Sequence, residues 1–438
     1  MEICANLRTG VFRSLFNRTH RSHITARVLR DSRSCHVTIV RKEEETPLLA
    51  YLRTRILATG PFTVHDYMAD VLTNSQQGYY MHRDMFGAAG DFTTSPEISQ
   101  MFGEMIGVWF LNEWLEAGSP QPVQIVEAGP GRGTLIADIL RVFSKYTKLT
   151  QSLTVHLIEV SPHLSTLQEE HLCGTATEQI TSQNYYKESK TRTGSSVRWY
   201  KDIHLVPQGN YTFYLAHEFL DALPIHKFER TDQGWREVLV DLDDSPTSPL
   251  HLRLVLAPGR TPSTVLIDPG ETRSHIEVCP QAGMFVQHLA KRLEVSGGVF
   301  LLVDYGHIGE KGDTFRAFKK HQIHDPLSMP GQADLTADVD FAYLRRCVQD
   351  QVLAFGPVTQ GSFLKSMGIG VRLKKLLETV RTPEEGKQLL SAYDMLTNPR
   401  HMGERFKFMA MLPKKVAATL DRNAPAGFED ANNAFSSV

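Results

Sequence analysis

Three glycines, Gly129, Gly131 and Gly133, occupy five positions inside VQIVEAGPGRGTLIADIL, residues 123–140. Without a Cβ, a glycine turn lets a ligand approach the backbone where a helix begins and its first N–H groups are free. An acid, Glu127, stands just before the turn. Two more acids follow the next strand-like runs, Glu159 in VHLIEVSP and Asp202 in RWYKDI. Farther on, HEFLDALP places Glu218 and Asp221 three apart behind His217. A cradle for a nucleoside-like ligand beside a pair of carboxylates suits chemistry in which a bound group is transferred and a proton must leave.

The turn discriminates between ligands. A dinucleotide fingerprint reads G-x-G-x-x-G/A, its third small residue permitting close packing beside a pyrophosphate. Here Gly133 comes one place early, and Thr134 stands where Gly or Ala belongs. Glu127 would repel a phosphate but suits the ammonium and sulfonium charges of S-adenosylmethionine. Glu159 is placed to accept ribose hydroxyls, and Asp202 to accept from the adenine amino group with Ile203 against the ring. Each of these two acids also fits a plain role as a cap or a solvated strand end.

Residues so spaced need a sheet whose strand ends they occupy. From 123 onward, strand and helix patterns alternate: VQIVE, a helix over 134–146, TVHLIE, a helix over 162–171, VRWY and YTFYLA. That alternation implies a parallel sheet covered by helices, an α/β fold. IHKFER, WREVLVDL and LRLVLA read as an antiparallel insertion over 225–279. A helix at 280–294 and the strand GVFLLVDYG then return to the main sheet. The stretch 306–335 reads as a long loop without regular structure, the signature of a segment that covers a site. RFKFMAMLP is read as a final strand.

Upstream, PLLAYLRTRILATGPFTVHDYMADVLT reads as two helices broken at Gly60-Pro61. SPEISQMFGEMIGVWFLNEWLEAG reads as one helix with Ser95 as N-cap, Pro96 in the first turn and Glu97 by the positive end. The expected units are a leader (1–42), an N-terminal helical cap (47–118), a core (119–224 and 280–412), the β insertion (225–279) and a tail (413–438).

Composition narrows the class. The 438 residues are 41% hydrophobic and 22% charged, ordinary for a globular chain, with a formal net charge of −2. Residues 1–42 carry nine basic residues against two acids, which leaves the remainder at −9. An Arg-rich, acid-poor start with apolar residues at helical spacing has the composition of a mitochondrial transit peptide. The other reading, a basic arm for nucleic acid or lipid, finds no supporting basic face in the acidic remainder. No apolar run reaches the roughly 18–20 residues of a membrane span. Five scattered cysteines without a C-x-x-C pair fit neither a disulfide framework nor a zinc site, and His307, His321 and His324 lack zinc-ligand spacing.

In order along the chain, GYYMHRDMFGAAGDFTTSPEISQMFGE, VEAGPGRGTL, LIEVSP, HEFLDALPIHKF, LLVDYG, PGQADLTADVDF and TQGSFLKSMGI resemble the blocks of MidA-like proteins. The likeness runs from about residue 47 to about 412. Such proteins are protein-arginine methyltransferases that assist assembly of mitochondrial respiratory complex I. The resemblance implies a Rossmann-like class I methyltransferase in the mitochondrial matrix. It also implies symmetric dimethylation of an arginine in the quinone-side core subunit of that complex, with S-adenosyl-L-methionine as cofactor. By matching motif positions it assigns cofactor contacts to Gly129, Gly131, Gly133 and Glu159, and puts Asp91, Thr94, Ser95 and Glu97 near the cofactor's amino acid end.

For a guanidinium acceptor the obstacle is its pKa of about 12.5–13.8, because the charged form has no free lone pair. Carboxylates must orient it and relieve the charge. HEFLDALP follows a strand at the carboxyl edge of the sheet, where doubly wound folds place their sites. Glu218 is the expected bidentate grip, Asp221 the assistant or proton acceptor, with His217 beside them and Phe219 as a channel wall. The competing reading makes Asp221 a helix cap and pairs Glu218 with a structural arginine. Asp304 and Tyr305 of VDYG admit either a structural turn or a substrate-facing role. For the whole chain, the alternative is an assembly chaperone of the same fold that is non-catalytic or methylates a small molecule.

Overall fold

The computed structural model describes residues 41–82, 84–85, 90, 93–173, 182–417 and 424–429. The expected leader up to residue 40, most of the expected tail, and Asp91 lie outside the described residues.

The central sheet grows from strands that are buried on both faces, as their largely apolar sequences favour. β2 (Val123–Ala128) and β6 (Tyr211–His217) are buried at every position. Around them the order is β16 (Val352–Thr359), β17 (Phe406–Pro413), β11 (Gly298–His307), β6, β2, β3 (Leu153–Ile158), β5 (Ser196–Tyr200) and β4 (Lys187–Lys190). β5, β3, β2, β6 and β11 run parallel, and β4, β17 and β16 antiparallel to their neighbours. The chain leaves β2 for β3 on one side and later reaches β6 on the other. Strand order therefore reverses at β2, where open α/β sheets leave a crevice for ligands.

Helices cover both faces. On one, Ile125, Val155, Phe213 and Leu301 meet Phe102, Ile106 and Phe110 of the helix Gln100–Glu116 and Ile139 of the helix Thr134–Phe143. On the other, Val126, Tyr214, Phe300 and Leu302 meet Val286, Leu289 and Leu293 of the helix Pro280–Ser296 and Leu344 of Phe341–Val348. In chain order these and the remaining helices used below are α1 (Pro47–Thr59), α2 (Val64–Thr73), α3 (Ser95–Ile98), α4 (Gln100–Glu116), α5 (Thr134–Phe143), α6 (Pro162–Cys173), α7 (Pro280–Ser296), α8 (Phe341–Val348) and α9 (Gln360–Ser366).

A separate apolar cluster joins Leu52, Tyr67 and Val71 of α1 and α2 to Val238, Val240 and Leu252 of the insertion, and to Ala317 and Leu335. The insertion is a five-stranded antiparallel sheet of β7 (His226–Thr231), β8 (Gly234–Leu242), β9 (Leu252–Leu256), β10 (His275–Val278) and β1 (Phe62–Thr63), the last paired Phe62 to Val240.

Three expectations change here. The segment 47–118 is not one cap: α1, β1 and α2 complete the insertion, while α4 lies in the helical layer of the main sheet. The single helix expected from Ser95 is two, because Ser99 is extended at φ −163° and its own hydroxyl caps α4 through the Met101 N–H. The stretch 306–335 is not structureless; it carries β12 (Arg316–Lys319), β13 (Gln322–His324) and the start of β14 (Asp334–Thr336), a small sheet followed by β15 (Val339–Asp340) on β11. Among the described residues no helix is long and apolar enough to cross a membrane.

Candidate active site

The glycine turn sits on the crevice. Gly129, Gly131 and Gly133 all take positive φ, +64°, +55° and +81°, a region that penalises any residue with a Cβ. The Gly129 N–H donates to the Ile158 carbonyl at 3.1 Å, which seats the turn on the end of β3. Gly133 is the N-cap of α5 and offers no side chain, so the first N–H groups of that helix are left for a ligand. A Cβ at Gly129 would lie 2.7 Å from the Phe219 ring, so the turn also packs against the HEFLD segment.

The acids around this turn differ in what they already hold. Glu127 is buried at the end of β2, and its Oε2 has no hydrogen-bond partner. Burial pushes its pKa up to about 8. A carboxylate so placed is costly unless a cation or donor reaches it, and the ammonium group of S-adenosylmethionine is such a ligand. Glu159, also buried, accepts from the Ser161 N–H at 2.7 Å and the Gln168 amide at 2.9 Å. Burial lifts it to about 7 against those two bonds. The same Gln168 amide donates to the Gly131 carbonyl at 2.7 Å, and its own oxygen accepts from Trp199 at 2.9 Å. Gln168 thus fixes Glu159 relative to the turn. No pattern in the sequence marks it.

Other expected cofactor residues are otherwise engaged. Glu97 accepts from Thr134 at 2.5 Å and pairs with Arg132 at 3.3 Å, while Arg132 also grips Asp84 through two nitrogens. Its carboxylate therefore braces the turn. Ser95 is not an N-cap: Thr94, buried and without a side-chain cap bond, holds that position. The Ser95 hydroxyl points to Gln360 of α9 at 3.3 Å. Asp202, just past the end of β5, accepts at Oδ1 from both the N–H and the ring of His204, and its side chain is 57% exposed. It caps its own short turn.

Across the crevice, β6 ends in His217 and the chain turns sharply at Glu218, a non-glycine residue at φ +48°. Strained backbone of this kind persists where the surroundings over-determine it. They do so here through Asp304. Its Oδ2 accepts from the N–H groups of Phe219, Leu220 and Asp221 at 3.1–3.4 Å, and its Oδ1 from Tyr305 at 3.0 Å. Of the two roles open to Asp304, the geometry shows the structural one: it holds the turn that presents Glu218 and Asp221.

Glu218 Oε1 is buried without a hydrogen-bond partner, 3.4 Å from the similarly unpartnered Nε2 of His217. No arginine or lysine among the described residues pairs with Glu218, so the structural-arginine role has no candidate. Burial raises its pKa well above the carboxylate range, the charge on Asp221 adds to this, and the Ser95 N–H opposes it. His217 is pushed down to about 3 by burial and is therefore neutral. Asp221 accepts at Oδ2 from the hydroxyls of Tyr305 and Thr336, the latter at 2.9 Å, while its Oδ1 is buried and unpartnered. Burial raises Asp221 too, with those two hydroxyls opposing. Arg316 and Arg405 lie over the Tyr305 ring at 5.2 and 5.6 Å. The result is a buried acidic cluster with unpartnered oxygens at the carboxyl end of the sheet, next to the glycine turn.

Comparisons with known proteins bear on the fold and the cofactor class. A family model of S-adenosyl-L-methionine-dependent methyltransferases matches residues 105–358. The human mitochondrial protein arginine methyltransferase NDUFAF7 is 52% identical over 372 residues, covering 84% of each chain. Its Drosophila melanogaster homolog, also named mitochondrial, is 47% identical over 87% of this chain and 88% of that one. In three dimensions, a superfamily protein from Burkholderia thailandensis, solved with S-adenosyl-homocysteine, superposes with a TM-score of 0.69 at 23% identity, covering 87% of this chain and 99% of its own.

Proposed function

Because the chain belongs to the S-adenosyl-L-methionine-dependent methyltransferases, we propose that its methyl acceptor is an arginine of a protein, as the names of its mitochondrial relatives suggest. The cofactor supplies a methyl group on positively charged sulfur. Glu127, Glu159 and the turn Gly129–Gly133 hold it, with Gln168 and Glu97 bracing them. The observation that carries the acceptor reading is the Oε1 of Glu218, buried without a hydrogen-bond partner and with no arginine or lysine against it among the described residues. A guanidinium offers five N–H donors in a planar fork and matches a buried carboxylate edge as a compact ammonium does not.

In this reading Glu218 grips the guanidinium and turns one nitrogen toward the methyl group, so positioning supplies much of the rate. When that nitrogen takes up the methyl group, the methyl carbon's bond to sulfur would break, sulfur keeping the electron pair as a neutral thioether, and the nitrogen loses a proton. Asp221 Oδ1 is the acceptor, its basicity raised by burial while Tyr305 and Thr336 hold the other oxygen. Neutral His217 keeps the floor beside Glu218 free of competing charge.

We assign the substrate as the quinone-side core subunit of respiratory complex I, the product as symmetric dimethylarginine, and the compartment as the mitochondrial matrix. What supports these finer assignments is the resemblance of the sequence blocks and, for the organelle, the relatives' names. Mass spectrometry of arginines in complex I purified from cells with and without this protein is the test. Loss of a dimethylated arginine from the quinone-side subunit is expected; an unchanged methylation map would refute the substrate assignment.

A further inference from the structure

Arg292 of α7 is a buried cation that the transfer chemistry does not use. It is 2% exposed, and no carboxylate among the described residues pairs with it. Its guanidinium donates instead to three backbone carbonyls, those of Ile203 at 2.9 Å, Val206, and Pro207 at 3.0 Å. These belong to one short turn, Ile203–Leu205, and the two residues that leave it. The turn has few bonds of its own: the Leu205 N–H donates to the Asp202 carbonyl and the Val206 N–H to that of Ile203, both at 3.2 Å. The Gln124 amide shares the Pro207 carbonyl at 3.0 Å.

Three carbonyl dipoles aimed at one buried point repel one another unless a cation stands there, and a planar fork of donors can answer all three. A buried cation without an acid is costly, so packing alone would be better served by an apolar side chain. The groups that feel the charge do not offset it. Burial pushes His156 down to about 3 and His288 to about 4, so both rings are neutral, and it raises the Tyr214 hydroxyl while Arg292 opposes. The converging carbonyls account for the arginine, and the conformation of the turn makes them converge.

The place of the turn gives that conformation a use. Glu127 ends β2, Glu159 follows β3, and β5 is the next strand in the same direction. The Glu159 N–H donates to the Tyr200 carbonyl at 2.9 Å, and Asp202 and Ile203 come directly after. The turn is thus the third station along the carboxyl edge, with about 4.8 Å from strand to strand. A cofactor with its ammonium at Glu127 and its ribose at Glu159 brings its base to this turn. α7 braces the same wall at two more points. The His288 ring packs on that of His204 at 4.0 Å between centroids, and His204 holds Asp202 Oδ1. Phe285 lies 5.4 Å from the Phe219 ring, the one that packs on Gly129. Phe285, His288 and Arg292 recur at spacings of three and four, which is one face of a helix.

We propose that Arg292 is a positioning residue of the cofactor site: by gathering the carbonyls of Ile203, Val206 and Pro207 it sets the turn that recognises adenine. The proposal rests on the placement of the cofactor at Glu127 and Glu159 given above, and is independent of which group accepts the methyl.

The test is calorimetric binding of S-adenosylhomocysteine and S-inosylhomocysteine to the full chain as wild type, Arg292→Lys and Arg292→Met, with a melting temperature for each. The inosyl compound carries a carbonyl in place of the adenine amino group and is unchanged at its ribose and amino acid ends. Wild type prefers the adenosyl compound by about tenfold or more, the range for a hydrogen bond to a charged group. In Arg292→Met the preference falls to about threefold or less, through weaker binding of the adenosyl compound alone. Arg292→Lys keeps a cation among the carbonyls without the planar fork, and its preference lies between the two. An unchanged preference in Arg292→Met, or an equal loss of both ligands alongside a lower melting temperature, makes Arg292 a purely structural residue and overturns the proposal. Should the methionine variant not fold, an unchanged preference in Arg292→Lys overturns it and a reduced one supports it. A wild type that binds both ligands alike removes adenine recognition from the turn and the proposal with it, while Glu127 and Glu159 keep their roles; a wild type that binds neither ends the cofactor placement as well.

Discussion

The two sides of the crevice are assembled from very different distances along the chain. On the β2–β3 side, the hydrogen-bond partners that shape the glycine turn come from close by: Arg132 reaches Asp84 across 48 residues, and Gln168 reaches Gly131 across 37. On the β6–β11 side, the Phe219 N–H finds Asp304 across 85 residues, Thr336 finds Asp221 across 115, and Tyr80 finds Asp334 across 254. The cofactor side is one βαβ unit with a brace. The acceptor side exists only after the insertion, the β14 wall and the N-terminal helices have packed. Donor binding and acceptor chemistry should accordingly be separable by mutation.

The largest separation is expected from Glu218→Gln. Transfer falls by about a thousandfold or more, within the scale of losing a charge-positioning group, while S-adenosylmethionine binds as in the wild type. Calorimetry beside a methylation assay reads both, and full turnover in this variant would remove Glu218 from its role. The opposite pattern belongs to the turn. Gly129→Val forces a side chain into positive φ and into the Phe219 ring, so cofactor affinity drops at least about tenfold, with transfer falling alongside. Tight cofactor binding in that variant would show that the turn is not the cradle.

Smaller effects sharpen the contrast. Tyr305→Phe removes a hydrogen bond that opposes the raised pKa of Asp221. The acidic limb of the rate profile should therefore move to higher pH with cofactor affinity untouched; an unmoved limb means that Asp221 is not the proton acceptor. On the cofactor side, Glu127 at about 8 is mostly protonated at pH 7, and a cationic ligand favours its ionised form. Binding should release up to one proton, seen as a heat that varies with the ionisation enthalpy of the buffer and lost in Glu127→Gln. The same shift works on stability. Because burial raises the folded pKa above its unfolded value, the fold favours the neutral acid; its contribution is fully present below about pH 4.5 and declines until pH passes about 8. Without cofactor, the melting temperature of wild type relative to Glu127→Gln should fall between pH 5 and 8.

The same contrast explains what is legible in the sequence. The alternation from Val123 to His217 names the sheet, and the spacing of Gly129, Gly131 and Gly133 after Glu127 names the turn, because strand, turn and helix there are consecutive. HEFLDALP shows acids at a strand end, yet whether Asp304 is structural or substrate-facing depends on contacts 83–85 residues away. Ser95 misleads as an N-cap because two capping residues stand four apart, and the chain uses Ser99 for α4.

The most direct measurement of the central claim is the fate of a labelled methyl group. Recombinant quinone-side subunit, the full chain and S-adenosylmethionine bearing a deuterated methyl are incubated together, and mass spectrometry locates the label. Label on an arginine is predicted with the wild-type chain, and none with Glu218→Gln. Label on another residue type, or equal labelling by both chains, would contradict the assignment of Glu218 as the group that holds an arginine for transfer.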